Sequence, residues 1–505
     1  MEKYTSYVLV YLLAFSTILI STFSYNYTFS DEGTHFVLSV FYKDLITSLP
    51  SIGFSYTTIY NYGINYLVHY PKLQIAYPPV FHLTNLIPFA VFGPSVFLMR
   101  LVNLAYSISA FFLFFLLTKK YFGQQTAFVS TVFFSASTYS LLYASRAFQD
   151  FSAFFFILTS IWLFSKACES KETKYFLLCG IASAVSILSK QISAILVIFF
   201  FIHFGYKHRT KKGLKYFISF LIPLLIILTP YLALLKSVGG FEINRIVAVD
   251  YASQQGEPTN PMSPLYWLDF LVNPTFFAPF SIVFVCFLAF YIYKKEKLWK
   301  EFLVFFLVFY ISLSAIPNKE LRFSQLFLLP AYVAAASYLV KSKNKILLPS
   351  VLVLYILVSA SLFYPTIQSY PQSEVADKIY KSLPAGASVS MFSDEEPLFS
   401  SALMSELLSM DKNKSLVIIR PCAFGNKTGE QITQILDESN TYFVVYSPWS
   451  QDKSIGKIAN LLEPAFSVSG KNLTTEVYKY KNFQNKQPEK ACNYICLTGE
   501  KICEK

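Results

Sequence analysis

Charge is what this 505-residue sequence has least of: Asp, Glu, Lys and Arg together make up 14% of it. Soluble globular chains carry about 25% charged residues, so this scarcity excludes an ordinary soluble domain as the body of the chain. Several catalytic signatures are missing as well. No Gly-x-x-x-x-Gly-Lys-Ser/Thr stretch occurs, so the phosphate-cradling loop of an ATP motor is absent. No Asp-x-Asp occurs, which disfavours a metal-bound nucleotide-sugar site. His-Glu-x-x-His and Gly-x-Ser-x-Gly are also missing, and with them the common protease and esterase motifs. Neither an internal repeat nor a low-complexity linker is visible.

What is present is apolar and aromatic. Hydrophobic residues make up 54% of the chain, with 52 Phe and 36 Tyr, and the mean hydropathy is +0.45. Tyr suits a membrane interface, where its ring is apolar and its hydroxyl stays wet. Apolar runs lie near residues 4–23, 98–118, 125–144, 150–166, 175–189, 191–207, 215–235, 277–293, 301–317, 324–341 and 346–364. Each approaches the ~20 residues that a helix needs to cross ~30 Å of hydrocarbon. No small-residue cleavage site follows the first run, so it is expected to be a retained span rather than a signal peptide. The net charge of +12 does not point to nucleic acid, because Lys and Arg sit in short clusters between apolar runs.

Those clusters orient the chain. Lys119–Lys120, Lys166–Lys174, Lys207–Lys215, Lys294–Lys300 and Lys341–Lys345 fall at every second loop and mark the cytoplasmic face. The N-terminus is then inside, and eleven crossings leave the C-terminus outside. Residues 80–94 are apolar but short and interrupted by Pro88, which reads as a re-entrant or interfacial segment. The sequons at Asn26, Asn413, Asn426 and Asn472 all fall on the expected outer side. The absence of an obvious retention signal favours a prokaryotic plasma membrane.

From about residue 366 the apolar runs shorten to strand length, in VSMF, LVIIR and YFVVYS. They alternate with helix-like stretches at Ser401–Ser409, Gln431–Glu438 and Ile455–Leu462. That alternation reads as a small α/β domain. The expected fold is an α-helical polytopic membrane protein over residues 1–365, with about eleven transmembrane helices plus re-entrant or interfacial ones. A C-terminal α/β extracytoplasmic domain follows over 366–505. Cys168, Cys179 and Cys286 lie in or beside spans and read as packing residues. Cys422, Cys492, Cys496 and Cys503 lie in the tail, where an oxidising exterior permits disulfides in three alternative pairings.

Charges at membrane helix ends need a reason. Ser30-Asp31-Glu32-Gly33-Thr34-His35 opens the first outer loop. Arg146 and Asp150 bracket an outer turn, and Lys190 sits alone in Ser189-Lys190-Gln191. Asn318-Lys319-Glu320-Leu321-Arg322-Phe323 joins two spans at the same level. Each has a structural alternative. Ser30 can cap a helix whose first turn favours Asp31 and Glu32. Arg146 and Asp150 can form an ordinary i,i+4 ion pair. Lys190, Lys319 and Arg322 can snorkel to the interface. His35, His69 and His82 are individually uninformative.

Taken together and in order, the set resembles the membrane glycosyltransferases of the GT-C superfamily. The likeness is to the branch of the protein mannosyltransferases and aminoarabinose transferases (glycosyltransferase family 39). The acidic pair after the first span is matched by Asp31-Glu32, and the Pro-Pro of the same loop by Tyr77-Pro78-Pro79. A basic-aromatic-Gly turn is matched by Lys119-Lys120-Tyr121-Phe122-Gly123, and the Arg-x-x-x-Asp turn by Arg146 and Asp150. Ser189-Lys190 matches the lysine turn, and residues 318–323 are similar to the His-Lys-Glu-x-Arg-Phe motif of lipid-linked mannosyltransferases. Two departures are Tyr77, where many relatives have a basic residue, and Asn318 in place of His.

The resemblance implies a sugar donor carried on a polyprenyl phosphate, of the dolichyl-phosphate-mannose kind. Membrane lipid surrounds it, and the acceptor is a glycan, lipid or protein. It implies Asp31 as the base that deprotonates the acceptor hydroxyl, with Glu32 as helper. Arg322, Lys190, Arg146 and Lys319 would bind the donor phosphate, while Asp150 and Glu320 would orient these cations. Some relatives bind a divalent metal near the acidic loop, where Asp31 and His35, four apart, would offer two ligands. No other cofactor is implied. The competing reading is a transporter or flippase of lipid-linked sugars, which would favour repeats and polar groups at the midplane instead.

Overall fold

The structure is a computed structural model that describes residues 19, 30–70, 77–207, 211–237, 281–315, 323–344 and 346–363. In the C-terminal part it describes 372–392, 400–411, 415–420, 424, 427–446, 454–469, 474–484, 491–494 and 501–503. The first apolar run, apart from Leu19, the four sequon Asn residues, Cys422, Cys496 and the 318–322 segment lie outside the described residues. Two compact units are formed. One comprises Ala76–Phe81 and Arg100–Thr366, preceded by Met1–Thr22; the other comprises Phe23–Ile75, His82–Met99 and Ile367–Lys505.

The helices run in chain order as α1 (Ser30–Ile52), α2 (Tyr56–His69), α3 (Val80–Thr84), α4 (Leu86–Phe92) and α5 (Val96–Phe122). Then come α6 (Gln124–Ser135), α7 (Thr138–Ala144), α8 (Asp150–Ser170), α9 (Thr173–Ser189), α10 (Ile195–Lys207) and α11 (Lys211–Ser237). The last apolar helices are α12 (Ser281–Tyr293), α13 (Trp299–Ala315), α14 (Ser324–Lys341) and α15 (Leu347–Phe363). Three stretches among the described residues, Val96–Phe122, Asp150–Ser170 and Gly213–Lys236, are long and apolar enough to cross a membrane. The expected continuous span at 125–144 is instead the pair α6 and α7, bent by 66°. The cause is local: Ser137 is extended and its hydroxyl accepts from the Ser140 amide, which starts a new helix. Of the remaining expected spans, 175–189, 191–207, 277–293, 301–317, 324–341 and 346–364 overlap shorter helices in their described residues.

In the first unit α9 packs between α8 and α11. Gly180 makes the second contact close, since a Cβ there would stand 2.1 Å from the Phe220 carbonyl oxygen and 2.9 Å from Pro223 Cγ. Small residues allow this approach between apolar helices, where dispersion between side chains supplies the attraction. Stacked rings extend the contact, with Phe176 on Tyr216 at 4.6 Å. Gly180→Ala is therefore expected to destabilise the unit by about 1–3 kcal/mol through overpacking. Thermal unfolding in detergent reads this as a lowered Tm.

The second unit contains α16 (Gln372–Ser382), α17 (Ser400–Met410), α18 (Gly429–Glu438) and the strands β1 (Ser388–Met391), β2 (Val417–Ile419) and β3 (Thr441–Tyr446). These strands stand at VSMF, LVIIR and YFVVYS. Strands β4 (Leu462–Ser469), β5 (Thr474–Tyr480), β6 (Cys492–Tyr494) and β7 (Lys501–Cys503) follow. The five-stranded sheet has the order β2-β1-β3-β5-β4, parallel on its first three strands and antiparallel beyond. Phe392 stacks on Phe424 at 4.0 Å above Ile419, Ile432 and Val444 in its core. Thr428 and Gln431 close a capping box on α18. Of the tail cysteines, Cys492 and Cys503 form a disulfide across the β6–β7 hairpin.

Candidate functional site

The charged residues singled out from the sequence fall in both units. In the first, the chain emerges from α7 into a tight turn, with the Phe148 amide donating to the Arg146 carbonyl at 3.0 Å. It then enters α8 at Asp150, which occupies the first turn. Arg146 and Asp150 are each 4% exposed. Asn103, a fully buried residue of α5, holds this turn. Its amide donates to the Tyr143 carbonyl at 2.7 Å and the Arg146 carbonyl at 2.6 Å. Those carbonyls lie at and beyond the end of α7, where no intrahelical donor reaches. Gln149 donates in turn to the Pro78 carbonyl at 3.3 Å, tying the turn to the Pro-Pro segment.

Lys190 arrives from the end of α9. It is extended (φ −158°, ψ 124°), so the chain breaks there before a 3-10 turn at Gln191–Ala194. That break aims the side chain at Asp150, and Nζ lies 2.6 Å from Oδ1 with side chains only 16% and 5% exposed. Lys190 Nζ also sits 4.9 Å from the centre of the Phe323 ring at the head of α14. Ala153, Phe154, Ile157, Ile192 and Leu326 complete a small, largely apolar hollow around the pair. A cation held by one carboxylate and an aromatic face, in apolar surroundings, keeps its charge at a fixed point and gains strength from the low dielectric. Asn103→Leu is expected to remove the side-chain hydrogen bonds that hold this turn, at a cost of about 1–3 kcal/mol. The measurement is the unfolding midpoint in detergent, with Asn103→Asp as a companion.

In the second unit Asp31 and Glu32 stand in the first turn of α1. Asp31 is half-buried, whereas Glu32 is 1% exposed. His35 lies one turn on, and its Nδ1 is 3.1 Å from Nε2 of His82 on α3. One ring of such a pair donates and the other accepts, so part of the ligand capacity of His35 is used by His82. Among the described residues no three His, Cys, Asp or Glu gather to hold a metal ion. Lys319, Glu320 and Arg322 lie outside the described residues; Phe323 is where the structure resumes.

Sequence reasoning missed Asn103, Gln149 and the pairing of His82. A polar Asn inside an apolar run was the available signal for the first. For the other two, only the tertiary partner gives the residue its meaning.

Residues 76–233 match the model of the dolichyl-phosphate-mannose-protein mannosyltransferase family. No curated relative matches the sequence. Among solved structures the chain is similar to ArnT from Cupriavidus metallidurans bound to undecaprenyl phosphate. That likeness has 13% identity and a TM-score of 0.64, and covers 93% of this chain and 97% of that one. It is also similar to the Archaeoglobus fulgidus oligosaccharyltransferase in complex with Zn and sulfate. There the identity is 12%, the TM-score 0.53, and the coverage 93% and 73%. The mycobacterial arabinofuranosyltransferase AftD aligns at 12% identity and TM-score 0.52, over 95% of this chain and 40% of that one. At such identities the likeness is one of fold.

Proposed function

We propose that the chain is a membrane glycosyltransferase of the GT-C kind that moves a sugar from a polyprenyl-phosphate donor to an acceptor hydroxyl on the extracytoplasmic face, a reading supported by its fold and by the family model that residues 76–233 match. Eleven crossings, an inside N-terminus and an outside C-terminal α/β domain over 366–505 belong to this reading. The exposed apolar side chains of Ile87, Val91 and Phe92 on α4 suit the interfacial placement of residues 80–94.

The acceptor oxygen attacks the anomeric carbon while Asp31 takes its proton. The bond from that carbon to the phosphate oxygen breaks, and its electron pair stays on the polyprenyl phosphate. The departing phosphate gains negative charge, which fixed cations stabilise in the transition state. Lys190, Arg146, Arg322 and Lys319 take that role, with Asp150 and Glu320 orienting them and Glu32 supporting the base. The observation that carries this reading is the Lys190 ammonium, fixed at 2.6 Å by Asp150 beneath an aromatic ring in an apolar hollow. The undecaprenyl phosphate bound to the similar ArnT structure supports the same class of donor.

The test is purified full chain in lipid vesicles, offered a panel of polyprenyl-phosphate sugars with glycan, lipid and peptide acceptors. Sugar transfer or donor hydrolysis establishes the enzyme and its donor. Scrambling of a labelled donor across the bilayer without turnover would replace the reading by a flippase.

A further inference from the structure

The helix that carries the acidic pair is enclosed within its own unit by the helices that follow it and by one far away in sequence. Residues Phe36, Val37, Leu38, Val40 and Phe41 of α1 are buried, so this helix has a packed core rather than a solvated face. Three neighbours supply that core. On one side α2 contributes Tyr66, whose ring meets Phe41 edge-on at 5.2 Å. On another, α3 and α4 contribute His82 against His35 and Phe89 against Phe36 at 5.8 Å. The third is α17 of the C-terminal segment, which packs along α1.

Two of these neighbours are then tied to each other at their ends. Tyr70 follows α2, and its hydroxyl donates to Asp411 Oδ2 at 2.8 Å, directly after the end of α17. Both residues are buried. The same carboxylate oxygen accepts the Leu416 amide at 2.8 Å, ahead of β2. His69 Nδ1 reaches the Leu416 carbonyl at 3.2 Å. Asn493, fully buried in the disulfide-closed hairpin, donates to the Val68 carbonyl at 2.8 Å and the Ile418 carbonyl at 2.7 Å. Burial and the neighbouring Asp411 carboxylate push the Tyr70 hydroxyl pKa well above its ordinary value, so it remains a donor. Helices α1, α2 and α17 therefore form a closed wedge whose fastening point is a buried carboxylate with two short hydrogen bonds.

We infer that Asp411 and Tyr70 are positioning residues: through them the C-terminal α/β segment fixes the α1 helix and so aims Asp31 and Glu32. This rests on the proposed catalytic use of the acidic pair, and gives the tail a part in the reaction without contact to the substrate. Charge-accepting and proton-accepting groups work best when held before the reaction begins. A hydrogen bond to a buried charged group is strong enough to do this.

The test compares Tyr70→Phe and Asp411→Ala with wild type as full chain in lipid vesicles. A control, Tyr480→Phe, removes the 2.7 Å Tyr480–Asp437 hydrogen bond elsewhere in the same unit. Tyr70→Phe should speed amide exchange across α1 and α2 about fivefold or more. It should lower kcat about tenfold, with donor KM unchanged. The control should alter neither. Should Asp411→Ala fail to fold, Tyr70→Phe alone decides. Unchanged exchange in α1, or faster exchange with unchanged kcat, overturns the inference. An inactive wild type overturns the transferase reading instead, and is told apart because the exchange arm still responds to Tyr70→Phe.

Discussion

Asp31→Asn should abolish nearly all sugar transfer, lowering kcat by about 10²–10⁴-fold, the usual contribution of a positioned general base. The amide keeps the shape of the carboxylate but cannot take the proton from the acceptor hydroxyl. In the proposed reading cations on other segments bind the lipid donor, so the donor Kd should stay within a few-fold of wild type. Glu32→Gln supplies the contrast. Glu32 is buried where Asp31 is half-exposed, which suits a supporting group rather than one that meets the acceptor. Its replacement should cost less activity and more stability. The measurement is single-turnover transfer in vesicles with saturating donor. Near-full transfer by Asp31→Asn would remove the base assignment.

Much of the architecture was legible because membrane helices announce themselves by length and hydropathy alone. The runs at 98–118, 150–166, 175–189 and 215–235 reappear within α5, α8, α9 and α11. Strands β1, β2 and β3 stand where short apolar runs placed them, since a buried parallel strand is a continuous apolar stretch. What sequence left dark has tertiary causes. Hydropathy is blind to the break between α6 and α7, because that break comes from one Ser hydroxyl competing for a backbone amide. The first loop offered a helix start at Ser30 but no reason to expect residues 32–41 to be buried, since much of what covers them is a helix some 350 residues later. Lys190 and Asp150 were each visible as charges at apolar boundaries. Their contact follows from the extended backbone at Lys190, which no periodicity encodes. Asp411, in an ordinary polar stretch, had no sequence signal at all.

The contact between Lys190 and Asp150 yields the second large effect. Removing one partner of a buried pair leaves an uncompensated charge and typically costs 3–5 kcal/mol. Lys190 retains some exposure, which places the expected cost of Lys190→Met near the low end, about 3 kcal/mol. Asp150→Asn strands the ammonium in turn and should cost about as much. The double variant strands neither charge, so its loss should fall well short of the summed single losses, by roughly 1–3 kcal/mol of coupling. Catalysis should not follow the same arithmetic. If Lys190 meets the donor phosphate and Asp150 only orients it, Lys190→Met removes phosphate stabilisation whether or not Asp150 is present. The double variant would then regain stability but no transfer, whereas Asp150→Asn alone would keep part of its rate. Unfolding midpoints and donor kinetics on the same four proteins separate the two roles. Recovery of transfer in the double variant would leave the pair a structural tie and move the phosphate site to other cations.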